Sequence, residues 1–151
     1  MTIPKRKPKA KKRSVSTAKK AAWNWMSKYI RCKAADENGI AECVTCGVRK
    51  HWKELHAGHF IPKKRGLSIY FVEEAINPQC AQCNVFNGGM LIEYTRFMQL
   101  TYGVEKVDEL LAVSRETKRM RLSDYEALEF EYREKFQSLG TIQGDSWEGV
   151  E

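Results

Sequence analysis

Apolar residues follow two kinds of pattern along the chain. Between residues 17 and 35 they recur at helical spacing, with Ala22, Trp25, Met26, Tyr29 and Ile30 on one face. Ser16 or Thr17 would cap this helix, and the turn-forming DENG at 36–39 would stop it. Helical spacing returns at Leu91, Tyr94, Met98 and Thr101, with Gly103 as a stop, and again at Val107, Leu110, Leu111 and Ser114. A third stripe, Tyr125, Leu128, Tyr132, Phe136 and Leu139, opens on Ser123 and Glu126 at capping-box spacing. Such stripes are core-facing by default. Residues 40–90 show no helical period and hold most of the turn signals, which predicts short strands and loops. The expected class is α+β, mostly helical. The expected layout is a disordered basic tail over 1–15, one domain over 16–139 and a flexible acidic tail over 140–151. Within the domain, helices are expected at about 17–35 and 91–138.

Charge changes this picture. Residues 1–20 hold nine of the 26 basic residues and no acid, leaving 17 bases against 19 acids elsewhere. All of the net +7 therefore belongs to the tail. Lys5, Arg6, Lys7, Lys9, Lys11, Lys12 and Arg13 suit a polyanion, most simply nucleic acid. The other readings of that run are a solubilising end and a nuclear-localisation signal. No apolar run approaches the roughly 20 residues that span a bilayer. The basic start lacks the apolar stretch of a secretory signal. The expectations are a cytoplasmic protein with no membrane partner. No phosphate-loop motif is present, so no nucleotide cofactor is expected.

The central segment carries the chemistry. Cys43-x-x-Cys46 and Cys80-x-x-Cys83 are separated by 33 residues. Four thiolates satisfy tetrahedral zinc and leave no open position, which predicts a structural site. Two buried thiol pairs or a redox motif are the alternatives, but the βαβ pattern of a thioredoxin-like protein is missing. Cys32, within the first helix, reads as an ordinary buried thiol. With zinc satisfied by sulfur, His56 and His59 are available for other work. Histidine supplies a general base near neutral pH. The amide oxygen of Asn84, directly after Cys83, suits Mg²⁺ or Mn²⁺. Lys63, Lys64 and Arg65 would hold phosphate. Base, hard-metal ligand and cationic loop are the parts of metal-assisted phosphodiester hydrolysis.

The strings CVTCG, GHFIP and NPQCAQCN resemble the zinc-bearing branch of the HNH, or ββα-metal (His-Me finger), nucleases, and especially phage endonuclease VII. The longer run HAGHF through INPQCAQCNVFNGGMLIEYTRFM is similar to the NinG/Rap recombination proteins of lambdoid phages. The resemblance implies a zinc-stabilised ββα-metal core over about 40–90, flanked by N- and C-terminal helices. It makes His59 the general base, Asn84 a ligand of the catalytic cation and Asn77 a brace for the loop carrying the base. It also implies a homodimer that cuts branched DNA, Holliday junctions included.

One position departs from that family. Many HNH enzymes have a metal-binding Asp before the base histidine, where this chain has Gly58. His56 shares a strand face with residue 58 and is the candidate replacement. Structural packing and phosphate contact are the alternatives for His56. His51, Glu73 and Glu74 read as solvated surface. Trp23 and Trp25 would pack in the core or stack on bases. Asn87, Gly88 and Gly89 would form a turn or break a helix after Cys83. The leading expectation is a structure-selective endonuclease. The alternative is a non-catalytic, zinc-containing DNA-binding module for recombination, which Gly58 favours. Action on linear duplex, as in restriction or packaging nucleases, is a third reading.

Overall fold

The computed structural model describes residues 12–140. Residues 1–11 and 141–151, with Lys5, Arg6, Lys7, Lys9, Lys11 and most of the expected acidic tail, lie outside the described residues. The first helix, α1 (Val15–Lys33), begins earlier than its pattern predicts. Ser14, not Ser16 or Thr17, is the cap, and its Oγ accepts from the Thr17 N–H at 3.1 Å. The ordered domain therefore reaches into the expected 1–15 tail. Arg13, expected among the DNA-binding residues, pairs with Glu129 at 2.7 Å on the surface of the domain.

The central segment forms two antiparallel hairpins. In the first, β1 (Ile40–Glu42) pairs with β2 (Arg49–His51). In the second, β3 (His56–His59) pairs with β4 (Ile76–Gln79), placing His56 opposite Gln79 and Gly58 opposite Asn77. Between β3 and β4 the chain makes a 3₁₀ turn at Lys63–Arg65, a short helix α2 (Leu67–Tyr70) and a second 3₁₀ turn at Glu73–Ala75. After β4 comes a single π-helical turn, Gln82–Phe86. Gly88 and Gly89, at φ 64° and 91°, then bend the chain away, so the glycines break the helix that Asn84 would otherwise begin.

Three helices follow: α3 (Leu91–Tyr102), α4 (Val104–Val113) and α5 (Leu122–Ser138). The capping acid of α5 is Asp124, which accepts from the Arg121 N–H at 2.7 Å. This is two residues ahead of the expected Ser123 and Glu126 pair. The β3–β4 hairpin lies between two helical layers. On one side Tyr94, Met98, Val107 and Leu110 pack with Phe60, Ile61 and Ile69. On the other, Met26, Ile30 and Tyr132 cover Ala57 and Ile76. The stripes of α3, α4 and α5 are thus largely spent on the core, although Leu91, Thr101, Leu111 and Leu139 stay exposed. The architecture is α+β and mostly helical, with two two-stranded sheets. No helix among the described residues is long and apolar enough to cross a membrane.

Glu73 is not the solvated acid its sequence context suggests. It sits in the 3₁₀ turn that leads into β4. Its carboxylate accepts from Lys33 (3.1 Å), Lys135 (3.2 Å) and the Tyr132 hydroxyl (3.0 Å). Burial opposes its charge, but these three donors win and hold its pKa below the ordinary value. The cluster ties α1 and α5 to the segment leading into β4. Glu74, its neighbour, lies 3.8 Å from Lys106.

Candidate metal centre and cationic cleft

The two knuckles are brought together by the hairpins. Cys43 directly follows β1, and its turn closes through Gly47 N–H to Cys43 O at 2.8 Å, with Gly47 at φ 78°. The Val44 N–H donates to Pro78 O at 3.0 Å, which sets this turn against β4. Cys80 directly follows β4, and Cys83 lies in the π-helical turn. The four sulfurs all fall within 4.8 Å of one another, with Cys46 and Cys80 3.8 Å apart. A tetrahedral zinc with Zn–S bonds of about 2.3 Å needs sulfurs about 3.8 Å apart, so the donor set fits. Electrostatics makes the same demand. Burial opposes ionisation of Cys43, but hydrogen bonds from the Thr45 hydroxyl and nearby backbone lower its pKa to about 6. Cys83 is pushed up to about 12, first by burial and further by the neighbouring thiols and the Cys43 charge. Four thiolates this close need a cation between them.

His59 and Asn84 open on a separate cleft of about 710 Å³, also lined by Trp23, Arg31, His56, Lys63 and Lys64. None of its described lining residues is acidic. His59 Nε2–H donates to the Tyr70 carbonyl at 2.9 Å, which leaves Nδ1 as the lone-pair nitrogen. Trp23 stacks on the imidazole at 4.7 Å between ring centroids. Burial lowers the His59 pKa, Lys63 adds to the effect, and the Tyr70 carbonyl opposes it. The ring is therefore neutral at pH 7. Asn84 Nδ2 lies 3.1 Å from His56 Nδ1, so His56 engages the amide of Asn84. Asn77, buried in β4, donates to Glu74 O at 3.4 Å and so braces the turn entering its own strand.

Gly58 has no side chain for a reason of space, not of backbone angle. It is absent from the positive-φ residues. A Cβ built there would overlap Gln79 Oε1 and stand 2.8 Å from Gln79 Cδ and 3.1 Å from Asn84 Oδ1. Gln79 is 0 % exposed. Its Nε2 donates to the Gly89 carbonyl at 3.0 Å and to Thr45 Oγ1 at 3.2 Å. Its Oε1 has no hydrogen-bond partner among the described residues.

A family model described as Bacteriophage Lambda NinG protein matches residues 2–141. The chain belongs to the NinG family. Protein ninG of Escherichia phage lambda is 26 % identical over 104 residues, covering 69 % of this chain and 50 % of that protein. Protein ninG of Salmonella phage P22 is 27 % identical over 97 residues, covering 64 % of this chain and 47 % of its own length. The chain thus spans about half the length of these curated relatives. No solved structure matches it.

In this NinG-family chain the four cysteines gather at one point, and His56, His59, Asn84, Lys63 and Lys64 share one cleft. Arg65 is exposed on the same turn as the two lysines but is not among the cleft's lining residues. Trp23 forms a wall of the site, whereas Trp25 packs against Phe136. His51 is half-buried and accepts from the Lys53 N–H at 3.3 Å, so it caps a turn rather than standing free. Sequence reasoning missed three contributors. Arg31 is held by the Ser27, Trp52 and Leu55 carbonyls at 3.0–3.3 Å. Thr45 bridges Cys43 and Gln79. Gln79 itself stands beside Cys80 in NPQC, and only the β3–β4 register brings it to Gly58.

Proposed function

We propose that this NinG-family chain is a structure-selective DNA endonuclease of phage recombination, cutting Holliday junctions and other branched DNA by metal-dependent phosphodiester hydrolysis. One observation carries the reading: a neutral histidine with Nδ1 available, beside Asn84, in a cleft whose charged lining residues are all cationic. Nuclease chemistry needs these groups together. The β3–β4 hairpin followed by the Asn84 turn supports the ββα-metal reading of the core.

His59 Nδ1 takes a proton from the water that attacks phosphorus, and Nε2–H stays fixed on Tyr70 O. Lys63 and Lys64 hold the flanking phosphates, and Arg31 adds positive charge at the cleft wall. Asn84 Oδ1 would hold Mg²⁺ or Mn²⁺, with His56 Nδ1 accepting from Asn84 Nδ2–H and so orienting the amide; His56 would become a ligand itself only by giving up that bond. Such a cation, when bound, would supply stabilisation of the charge that develops on the phosphate and leaving group. The product carries a 5′ phosphate. The basic N-terminal run adds phosphate contacts of little shape selectivity.

Symmetric cutting of a four-way junction needs two sites and hence a two-fold dimer. The apolar stripes of the C-terminal helices are largely buried and leave little surface for such a dimer. Val85 and Phe86 on the π-helical turn and Leu91 and Ile92 at the start of α3 are 57–82 % exposed and offer an apolar face instead. A binding module without catalysis is the second reading, favoured by the lack of a carboxylate in the cleft. Cleavage of a four-way junction against matched linear duplex, with and without Mg²⁺ or Mn²⁺, decides between them. Cation-dependent cutting of the junction is expected; binding without cutting under every condition would leave only the module.

A further inference from the structure

We infer that Gln79 supplies an uncharged oxygen ligand to the cation of the cleft, reaching from β4 into the space where an acid at position 58 would stand. This rests on the hydrolytic reading of the cleft.

Three observations converge on it. Gln79 Oε1 is fully buried and lacks a hydrogen-bond donor among the described residues. Leaving such an oxygen unpaired costs free energy, so it is retained against a penalty. Its direction is set by the other end of the amide. Nε2 faces the Gly89 carbonyl at 3.0 Å, an acceptor only, so a flipped amide would set two oxygens against each other. Oε1 thereby takes the place a Cβ of residue 58 would fill, and Asn84 Oδ1, on the cleft wall, stands 3.1 Å from that place. Two amide oxygens flanking the space of that missing side chain suit a hard divalent cation, which accepts amide oxygen. Finally, Gly58 has a backbone that any residue could adopt, and the Gln79 amide fills the space of its missing side chain. The absent acid is therefore not a gap in the site.

The substitution changes the character of the site. A neutral pair of oxygens attracts Mg²⁺ or Mn²⁺ less than a carboxylate does, and such ions commonly complete their shell with substrate phosphate. Cation and DNA should therefore bind cooperatively, each strengthening the other by the same factor. Gln79 also bonds Thr45, which touches the Cys43 sulfur, so the zinc knuckle holds this ligand in place.

The test measures Mn²⁺ binding to the full chain by electron paramagnetic resonance, with and without a four-way junction. A His59→Ala background keeps the DNA intact, and junction alone is the control. Gln79→Ala should weaken Mn²⁺ binding about 10-fold or more in the presence of DNA, with zinc content unchanged. Gly58→Asp with Gln79→Ala should restore it, because the acid then has both charge and room. A structural role for Gln79 would not be rescued by that exchange. If Gln79→Ala loses zinc, Gln79→Glu is read instead and should bind Mn²⁺ more tightly than its parent. Parent-like Mn²⁺ binding by Gln79→Ala, or no gain from Gln79→Glu where that variant is needed, overturns the inference alone. A parent that takes up no Mn²⁺, together with wild type that cuts no junction, brings down the hydrolytic reading as well.

Discussion

The cysteine knuckle and the cleft proposed to hold a catalytic cation meet at adjacent residues of this chain, Gln79 and Cys80, yet they are built on opposite principles. The knuckle gathers four sulfurs that become charged, with Cys43, Cys80 and Cys83 buried, and leaves no room for substrate. The cleft gathers a neutral histidine and amides, with its positive charge on Lys63, Lys64 and Arg31, and stays open. The first supplies its own counter-charge to a cation and so stabilises the fold. The second lacks that counter-charge, which DNA phosphate would bring. A site that binds its ion without help serves structure; a site that needs the substrate to complete it serves reaction. The shared strand explains how one positions the other, since the turn beginning at Cys80 carries Asn84.

The largest effect that separates the regions is Cys80→Ser. Zinc binding in small modules is worth on the order of 10 kcal/mol. The cluster around it adds little apolar area beyond Ala41 and Leu55. The variant should lose zinc and the cooperative melting of the central segment, as read by elemental analysis and circular dichroism. A folded, zinc-free Cys80→Ser would erase the contrast. Asn84→Ala should keep zinc and fold but raise the Mn²⁺ needed for half-maximal cutting roughly 10-fold, with His56→Ala moving it in the same direction. An unchanged metal requirement would remove Asn84 from the site.

Acidity sharpens the comparison further. Burial holds the His59 pKa below its ordinary value, and the proposed general base would act in its neutral form. Cleavage should rise with pH below about 6.5 and be level at neutrality. Trp23→Ala wets the imidazole and should move the midpoint of that rise upward, toward the ordinary histidine value; a midpoint that stays put would remove the shielding role of Trp23. The smallest effect concerns the basic run. Deleting residues 1–11 removes five cationic side chains. The salt slope of junction binding should flatten by up to about 0.9 for each phosphate no longer neutralised. Preference for branched over linear DNA should survive, and its disappearance would assign shape recognition to the tail.

Much of this architecture is legible in the sequence. The C-x-x-C pairs announce themselves because two thiolates per tight turn is a local geometry. Helical stripes such as Met26–Ile30 and Tyr94–Met98 follow from period alone. The caps are displaced because Ser14 and Asp124 reach the helix starts before the residues that match the motif more closely. Glu73 reads wrongly in sequence because its partners, Lys33 and Lys135, lie 40 and 62 residues away. Gln79 is hidden for a similar reason. Its meaning depends on a strand register, and nothing in NPQC states which residue of HAGH it will face. The dimer surface is equally hard to read, because a stripe looks the same whether it covers a core or a partner.

Cleavage of a four-way junction by wild type and His59→Ala, at saturating Mn²⁺ and equal zinc content, tests the central claim most directly. Loss of a general base costs about 10²-fold or more, and excess cation does not restore it. His59→Ala should therefore bind the junction as wild type does and cut it at least that much more slowly. Equal rates from the two proteins would contradict the assignment of His59 and of the cleft around it.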